Sequence, residues 1–258
     1  MTGTPAEEGP ASGAPVLRRY AAAVADAHAE LTRLDQASGD GDFGDNLRSG
    51  LERVLAELDT AAATGRAAGG HGFDVAGRVF LDEVGGTSGP LFGLLFTELA
   101  RALEHDPESG WAAGTAAGLA AIQRVGEAEV GDRTLVDALA PAAAELERGG
   151  GYAAAARAAA EGARGTAEML ARRGRASYVG ERARGLPDPG AVGVALLFQA
   201  LAASGGRTPR PRRSDARRVI PASRCPITRL VPAPRRGIRW AWIAGNSSFT
   251  EILGETDD

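Results

Sequence analysis

Apolar residues recur at steps of three and four along most of the chain, which predicts a series of amphipathic helices. The first helix ends near Asp35, and the second follows Asn46. The apolar face of the first helix comprises Leu17, Tyr20, Val24, His28, Leu31 and Leu34. Six more helices are predicted over residues 73–84, 88–103, 111–124, 134–148, 152–173 and 189–203. The pattern therefore predicts eight helices and an all-α fold.

Three links between the predicted helices are rich in glycine: residues 85–90, 125–134 and 174–190. Loops on a rigid helical frame are the usual place for binding residues. We therefore expect the chemistry of this chain to lie in these links and in the loop before Asn46.

The helical pattern is bounded by two stretches of different composition. Residues 1–15 are rich in Gly, Pro, Ala and Glu and predict a disordered leader. Residues 205–258 combine Arg, Pro and Gly and predict a tail that is disordered or weakly docked, with a basic interaction arm as the alternative. The predicted helical domain spans residues 16–204.

Composition supports helices and excludes several classes of protein. Only 5% of residues are aromatic, and Ala, Leu and Val supply most of the apolar content. The net charge is -4, and residues 205–258 carry eleven arginines against five acids, so the rest of the chain stands at -10. Such an acidic body does not favour nucleic-acid binding.

One cysteine, Cys225, excludes an intrachain disulfide framework. No signal peptide is recognisable, and no apolar run approaches the roughly 20 residues of a membrane helix. We therefore expect a cytoplasmic protein without a membrane span.

The run SGDGDFGDN at residues 38–46 concentrates negative charge between the first two helices. It contains Asp40, Asp42 and Asp45, and Asp35 lies just upstream. Clustered carboxylates repel one another unless cations or strong donors neutralise them. Oxygen ligands without Cys or clustered His favour Mg²⁺, Ca²⁺ or Mn²⁺ over Zn²⁺. An EF-hand counted from Asp40 fails, because its twelfth position is Leu51.

A magnesium loop predicts a phosphate ligand, because Mg²⁺ is usually shared between one or two carboxylates and substrate phosphates. GGTSGP at residues 85–90 offers backbone N–H groups, and Ser88 with Pro90 indicates a helix start that favours anions. Short Gly and Asp runs are also common in ordinary turns, so neither motif decides the function alone.

Four runs together resemble one family, the nucleotide-binding L subunit of bacterial dihydroxyacetone kinase. They are LDQASGDGDFGDN (34–46), VGGTSGPLFG (84–93), GEAEVGDRTLVDALAPA (126–142) and GRASYVGERARGLPDPGA (174–191). Their order and spacing also match, over residues 17–204. The resemblance implies an eight-helix antiparallel up-and-down barrel with a site for Mg²⁺-bound ATP or ADP at one end.

The resemblance also implies roles for individual residues. Asp35, Asp40 and Asp42 match the aspartates that hold two Mg²⁺ ions, and Arg175 matches a catalytic nucleotide contact. Tyr178 and Glu181, in the same run as Arg175, are expected to be structural, because a tyrosine ring packs. The other nucleotide contacts implied are Phe43, Gly44, Asp45 and Asn46 near the phosphates, Thr87 and Ser88 as phosphate donors, Gly126 and Leu135 around the adenine, and Asp188, Pro189 and Gly190.

In this family the nucleotide-binding subunit passes a phosphoryl group to dihydroxyacetone held by a separate K subunit. The resemblance leaves open whether ATP exchanges at the site or bound ADP is recharged by a phosphotransferase-system protein, and whether the chain forms a homodimer. No part of the chain resembles the K subunit. The isolated histidines His28, His71 and His105 are expected to be structural.

The acidic loop departs from the family at two positions, where Phe43 replaces a histidine and Asp45 replaces a small residue. A phenyl ring cannot donate to phosphate, and Asp45 adds a charge that repels phosphate unless it binds metal or caps a helix. Two hypotheses remain: a kinase subunit with a changed acceptor or rate, and a nucleotide-binding regulatory or scaffold module without turnover.

Overall fold

The computed structural model describes residues 13–64, 72–107 and 109–204, and within these ranges the chain forms helices and no strand. The predicted tail, His71 and residues 1–12 of the predicted leader lie outside them. None of the described helices is long and apolar enough to cross a membrane. The helices are α1 (Ala14–Asp26), α2 (His28–Ser38), α3 (Phe43–Ala63), α4 (Gly72–Asp82), α5 (Ser88–His105), α6 (Gly110–Gly126), α7 (Val136–Glu147), α8 (Gly151–Gly165), α9 (Ala176–Val179) and α10 (Pro189–Ala203). The all-α prediction is confirmed.

Two predicted helices differ from the structure by a break or an early end, and the helix predicted to follow Asn46 begins earlier, at Phe43. The first is two helices, because the backbone turns at Ala27 (φ -89°, ψ 2°) between α1 and α2. The same apolar period runs through both, so the pattern does not reveal the break. The helix predicted to reach residue 173 ends at Gly165, and a short 3₁₀ turn, Thr166–Glu168, follows. α1 begins at Ala14, inside the predicted leader.

The helices pack in a closed sequence of neighbours. α3 contacts α1 and α4, and each helix from α4 to α8 contacts the next. α10 contacts α8 and returns to α1, which closes the circuit, while α2 lies against α3 and α10. Eight helices form this circuit in the described part of the chain. The antiparallel up-and-down arrangement of a barrel stays a prediction, which the closed circuit supports.

Aromatic side chains build the centre of the core between α1, α4 and α5. Phe96 is fully buried and has its ring centroid 5.0 Å from that of Phe80 and 5.8 Å from that of Phe73. Trp111 meets Phe73 edge to face at 5.3 Å. One continuous apolar cluster includes residues from every helix except α9 among those described. This core holds the loops that carry the predicted site.

Helices α7 and α8 approach each other closely near Pro141, a proline inside α7. Pro141 has no N–H for the carbonyl of Asp137, four residues earlier. Gly162 of α8 lies against that carbonyl, and a Cβ atom at Gly162 would be 2.2 Å from it. The pair therefore fixes Asp137 at the start of α7, beside the loop of residues 126–135.

Candidate functional site

The acidic loop crosses from the end of α2 to the start of α3 and is folded around Asp35. The Phe43 N–H donates to Asp35 Oδ2 at 3.0 Å, and the Gly39 N–H donates to the Asp35 carbonyl at 2.5 Å. A Cβ atom at Gly39 would be 2.5 Å from Asp35 Oδ1, so only glycine allows the backbone so close. Gly41 has φ +88°, which also favours glycine. The glycines of the motif thus let the loop wrap one carboxylate.

The other two predicted metal ligands lie on the exposed side of this loop. Asp40 forms an ion pair with Arg175, through Oδ2 and Nη1. Asp42 is exposed and precedes α3 without capping it by a side-chain hydrogen bond. The structure therefore brings Arg175 to the acidic loop, as the resemblance implies.

The three aspartates offer the ligand atoms that a hard divalent cation requires, but their positions in this structure do not form a metal site. Asp35, Asp40 and Asp42 offer only carboxylate oxygens, the ligands that Mg²⁺ prefers. No three His, Cys, Asp or Glu side chains within the described ranges are arranged to hold a metal ion. Because Arg175 occupies Asp40, three-carboxylate coordination would require Asp40 to leave this partner.

Asp45 is turned towards α2. Its Oδ1 lies 2.8 Å from His28 Nε2 and 3.3 Å from Arg48 Nη2. The added charge that distinguishes this loop from the family pattern is therefore shared with an imidazole and a guanidinium. His28, which was expected to be structural, connects α2 with α3 through this contact. His105 ends α5 and is exposed.

Phe43 and Gly44 pack in the protein interior at the start of α3. The Phe43 side chain is 7% exposed, and its ring centroid is 6.2 Å from that of Phe92. A Cβ atom at Gly44 would be 2.7 Å from Thr32 Oγ1, so this glycine lets α3 approach α2. At Phe43 the backbone N–H faces the acidic loop, while the ring belongs to the core.

Asn46 lies beside the glycine-rich link before α5. A Cβ atom at Gly86 (φ +75°) would be 3.4 Å from Asn46 Nδ2. Asn46 and Ser88 lie along one seam of packed side chains that leaves no room for a water molecule, together with Phe43, Leu47, Phe80, Val84, Gly89 and Phe92. Thr87 is exposed and makes no side-chain hydrogen bond to the start of α5. The first N–H groups of a helix have no partner within it, so this end suits an anion.

Leu135 and the start of α10 come together in the structure. A Cβ atom at Gly190 would be 3.3 Å from Leu135 Cβ. Asp188 caps α10, because its Oδ1 accepts the Ala191 N–H at 2.8 Å, and Pro189 is the first residue of that helix. Gly126 ends α6, and no atom lies within 4 Å of its Cβ position. The structure thus brings Leu135 and Gly190 together and leaves open space at Gly126.

The loop of residues 126–135 is organised by two buried aspartates that were not among the candidate residues. Asp137 accepts the Gly131 N–H at 2.6 Å and the Thr134 N–H at 2.8 Å. Asp132 accepts the Glu129 N–H at 2.9 Å. The spacing Thr134-x-x-Asp137 is a helix-start signature that could have drawn attention to Asp137.

Residues 166–188, here called the strap, run from the end of α8 to the start of α10 and carry Arg175. The Gly185 N–H donates to the Ala167 carbonyl at 2.9 Å, and the Asp188 N–H donates to Thr166 Oγ1 at 2.8 Å. Tyr178 is 91% exposed, so the expectation that its ring packs is wrong. The backbone of Glu181 lies in a 3₁₀ turn.

Arg133 joins the loop of residues 126–135 to the strap. Its side chain is 1% exposed, and Nη2 donates to the carbonyls of Ala183 and Leu186, both at 2.9 Å. Burial lowers the pKa of the guanidinium, and the nearby Asp188 opposes that shift. Arg133 belongs to one of the four family motifs, but nothing in the sequence pattern indicated a role for it.

Asp188 lies where three of the four motifs meet. Burial raises its pKa to about 6, and the carboxylates of Asp137 and Asp35 act in the same direction. The Ala191 N–H and Arg133 act against the shift. The charged form of Asp188 still predominates at neutral pH, but the folded state disfavours it relative to the unfolded chain.

We expect Asp188→Asn to stabilise the folded chain at neutral pH, because asparagine also caps helices and carries no charge to bury. The folded state binds the Asp188 proton more tightly than the unfolded state, so wild-type stability due to this group rises as pH falls through about 6. The advantage of the variant should reach about 3 kcal/mol near pH 7.5 and shrink by more than about 1 kcal/mol near pH 5.

Urea unfolding at both pH values in EDTA measures this difference. Asp26→Asn, at the exposed end of α1, is the control and should show little change at either pH. A difference between wild type and Asp188→Asn that does not vary with pH would contradict the raised pKa.

Comparison with known proteins gives a consistent picture. The profile described as the DAK2 domain matches residues 37–203. The chain is 39% identical over 195 residues to an L-erythrulose 1-kinase of Mycolicibacterium smegmatis, covering 72% of this chain and 34% of that protein. It is 35% identical over 176 residues to the ADP-binding subunit DhaL of PEP-dependent dihydroxyacetone kinase 1 of Listeria innocua, covering 66% of this chain and 84% of that subunit.

A solved structure agrees with these similarities. The dihydroxyacetone kinase from C. freundii in complex with AMP-PNP and Mg²⁺ superposes with a TM-score of 0.56 at 27% identity. The matched region covers 79% of this chain and 36% of that kinase. The present chain thus spans about a third of the length of the erythrulose kinase and of the C. freundii kinase, but most of the DhaL subunit.

Proposed function

The chain belongs to the DAK2 domain family, and we propose that it is the nucleotide-binding, phosphoryl-donating part of a dihydroxyacetone-kinase-type system. It binds ATP or ADP with Mg²⁺ and passes a phosphoryl group to dihydroxyacetone, or to a similar small hydroxyketone, held by a separate K-type protein. The names of its relatives, an erythrulose kinase and an ADP-binding DhaL subunit, support this class of acceptor and donor.

The observation that carries the proposal is that segments distant in sequence meet around the acidic loop. Arg175 from the strap pairs with Asp40, and Asn46 lies beside the link at Gly86. Leu135 lies against Gly190 at the start of α10. A stable helical frame does not need an ion pair between the strap and the acidic loop. A nucleotide needs charged groups for its phosphate chain and an apolar surface for its adenine, and these contacts would provide both.

In the proposed complex, Asp35, Asp40 and Asp42 would hold magnesium. When bound, Mg²⁺ supplies neutralisation of the phosphate charge and orientation of the phosphate oxygens. The N–H groups at the start of α5 and the hydroxyls of Thr87 and Ser88 face the phosphate chain. Leu135 and Gly190 supply an apolar surface for the base.

Arg175 completes the proposed phosphate site. Its guanidinium is held at the acidic loop by Asp40 and is half exposed, so it can pass from the carboxylate to a phosphate oxygen. Phosphoryl transfer needs little covalent chemistry from the protein, so these residues act by positioning and by charge neutralisation.

Two modes of nucleotide use could supply the phosphoryl group. In one mode ADP stays bound as a coenzyme that a phosphotransferase-system protein recharges, and the name of the Listeria innocua relative, an ADP-binding subunit of a PEP-dependent kinase, supports this mode. Free exchange of ATP is the alternative mode. The rate at which prebound ADP leaves the full chain would distinguish them.

The test of the proposed function is calorimetric titration of the full chain with ADP and with ATP, each with Mg²⁺ and with EDTA. We expect dissociation constants of about micromolar or lower with Mg²⁺ and at least about tenfold weaker binding with EDTA. A transfer assay then adds dihydroxyacetone or erythrulose and a K-type subunit. No heat with either nucleotide under any condition would overturn the proposal.

A second function is favoured by one observation, the burial of the Phe43 ring against Phe92. The loop presents no imidazole at this position, and Asp45 holds His28 by the side of α3 rather than in the loop. A chain that binds nucleotide without transferring phosphate would act as a regulatory or scaffold module through protein partners.

We expect Phe43→His to destabilise the fold by about 1–3 kcal/mol, because it replaces a packed ring with a buried polar group. Phosphoryl transfer should not rise, because a ring that follows the Phe43 side chain lies in the core. Phe43→Leu is the matched control, since it changes shape but keeps the site apolar. A Phe43→His variant as stable as wild type and about tenfold more active would contradict the core role of this position.

A further inference from the structure

Arg133 is a buried arginine whose side chain is 1% exposed and whose Nη2 joins two carbonyls of the strap. Its Nε and Nη1 atoms are buried without a hydrogen-bond partner. The residue also has φ +61°, in the left-handed region that non-glycine residues rarely occupy. The burial of the charge, the two donors without partners and the left-handed backbone are each unfavourable to the folded state.

Such a residue is an inefficient way to stabilise a helical domain. A buried guanidinium loses its hydration, and two donors without partners add to this loss. An apolar residue of similar size would often serve the stability of the core as well or better. The unfavourable features therefore point to a role for Arg133 that an apolar side chain cannot perform.

The contacts of Arg133 indicate what that role is. Ala183 and Leu186 belong to the part of the strap between Arg175 and Asp188, and one guanidinium nitrogen fixes both carbonyls. The positive charge also faces Asp188, the cap of α10. Arg133 itself follows Asp132, whose carbonyl accepts the Arg172 N–H at 3.1 Å. The loop of residues 126–135 thus grips the strap on both sides of Arg175.

We propose that Arg133 is a positioning residue: it fixes the strap so that Arg175 is held at the acidic loop and Asp188 keeps Gly190 against Leu135. The inference rests on the proposed function, since it concerns the two ends of the same nucleotide site. Arg133 touches neither the nucleotide nor the metal in this scheme. It acts by ordering Arg175 and Gly190, the residues proposed to contact the nucleotide.

The test compares Arg133→Met, Arg133→Lys and the control Arg157→Met in the full chain without nucleotide. Arg157 is exposed on α8, so its removal changes the net charge equally. Amide hydrogen exchange of Gly185 and Asp188 reports the strap directly, because both N–H groups are hydrogen-bonded within it. We expect Arg133→Met to speed exchange at both amides by about tenfold or more while the amides of α5 stay protected.

Calorimetric titration with Mg-ADP gives the functional readout. Arg133→Met should weaken nucleotide binding by about tenfold, and Arg133→Lys should recover part of that loss, because an ammonium can donate to the same two carbonyls. Arg157→Met should match wild type. If the wild-type chain does not bind nucleotide, the proposed function fails, while the exchange experiment still decides whether Arg133 orders the strap.

Three outcomes would overturn the inference. Unchanged exchange at Gly185 and Asp188 in Arg133→Met would show that the strap does not depend on this side chain. Loss of protection throughout the chain in Arg133→Met, with nucleotide binding that falls only in proportion to the lost stability and returns together with it in Arg133→Lys, would make Arg133 structural only. If Arg133→Met does not fold, Arg133→Lys decides alone: faster exchange at Gly185 and Asp188 with nucleotide binding as tight as in wild type would separate the strap from the nucleotide site and contradict the inference.

Discussion

Replacing Asp40 with alanine is expected to weaken the binding of Mg-ADP and Mg-ATP by at least about a hundredfold, since even indirect metal partners change metal affinity by 10- to 100-fold. Asp40 is an exposed carboxylate of the acidic loop, and it forms an ion pair with Arg175 of the strap. Its removal would take away both a proposed metal ligand and the contact that holds Arg175.

Calorimetry with and without EDTA measures this effect, and Arg175→Ala separates its two parts. If the loss comes from the metal, Asp40→Ala should bind equally weakly with Mg²⁺ and with EDTA, whereas Arg175→Ala should keep a magnesium dependence. Asp26→Ala, at the exposed end of α1, should bind like wild type. Binding by Asp40→Ala that is as tight and as EDTA-sensitive as in wild type would remove Asp40 from the metal site.

Truncating Phe96 to alanine is expected to lower the free energy of unfolding by about 3–5 kcal/mol, the usual range for a buried phenylalanine. The ring is fully buried on α5 and meets Tyr20 of α1, Phe73 and Phe80 of α4, and Phe92 one turn earlier. Several helices would line the cavity, and the rings around it cannot all collapse into it.

Urea unfolding in the absence of nucleotide measures the Phe96 effect. Tyr178→Ala is the matched control, because it removes an aromatic ring that is 91% exposed and should change stability by less than about 0.5 kcal/mol. A loss below about 1 kcal/mol in Phe96→Ala would show that the core repacks freely around α5. Since a domain is stable by only about 5–15 kcal/mol, the expected loss is a large part of the total.

The position of most helices could be predicted because each helix buries one face, and burial leaves a period of three and four residues in the sequence. The break at Ala27 could not, because Leu17 to Val24 and Leu31 to Leu34 continue one apolar stripe across it. The end of α8 at Gly165 could not be predicted either, because the residues after it have high helix propensity. Tertiary contacts of the strap decide where this helix ends.

The candidate site was predictable to the extent that its chemistry is local. Asp35 lies near the end of α2, and Asp40 and Asp42 lie in the loop that follows, so this local run of carboxylates and glycines was enough to predict a ligand site. The hydrogen bond from the Phe43 N–H to Asp35 is equally local. The family resemblance added Arg175, Leu135 and Gly190, whose meetings with distant partners no spacing could indicate.

The all-α class, the helices and the acidic loop could thus be inferred from the amino-acid sequence, since they depend on neighbours a few residues apart. Three-dimensional packing was needed to show that Phe43 turns its ring into the core, that Asp45 pairs with His28, and that Arg133 grips the strap. Each of these depends on the environment of a side chain contributed by another helix or loop. In the sequence, an arginine next to an aspartate is expected to be a surface charge. Only the fold shows that Arg133 is buried.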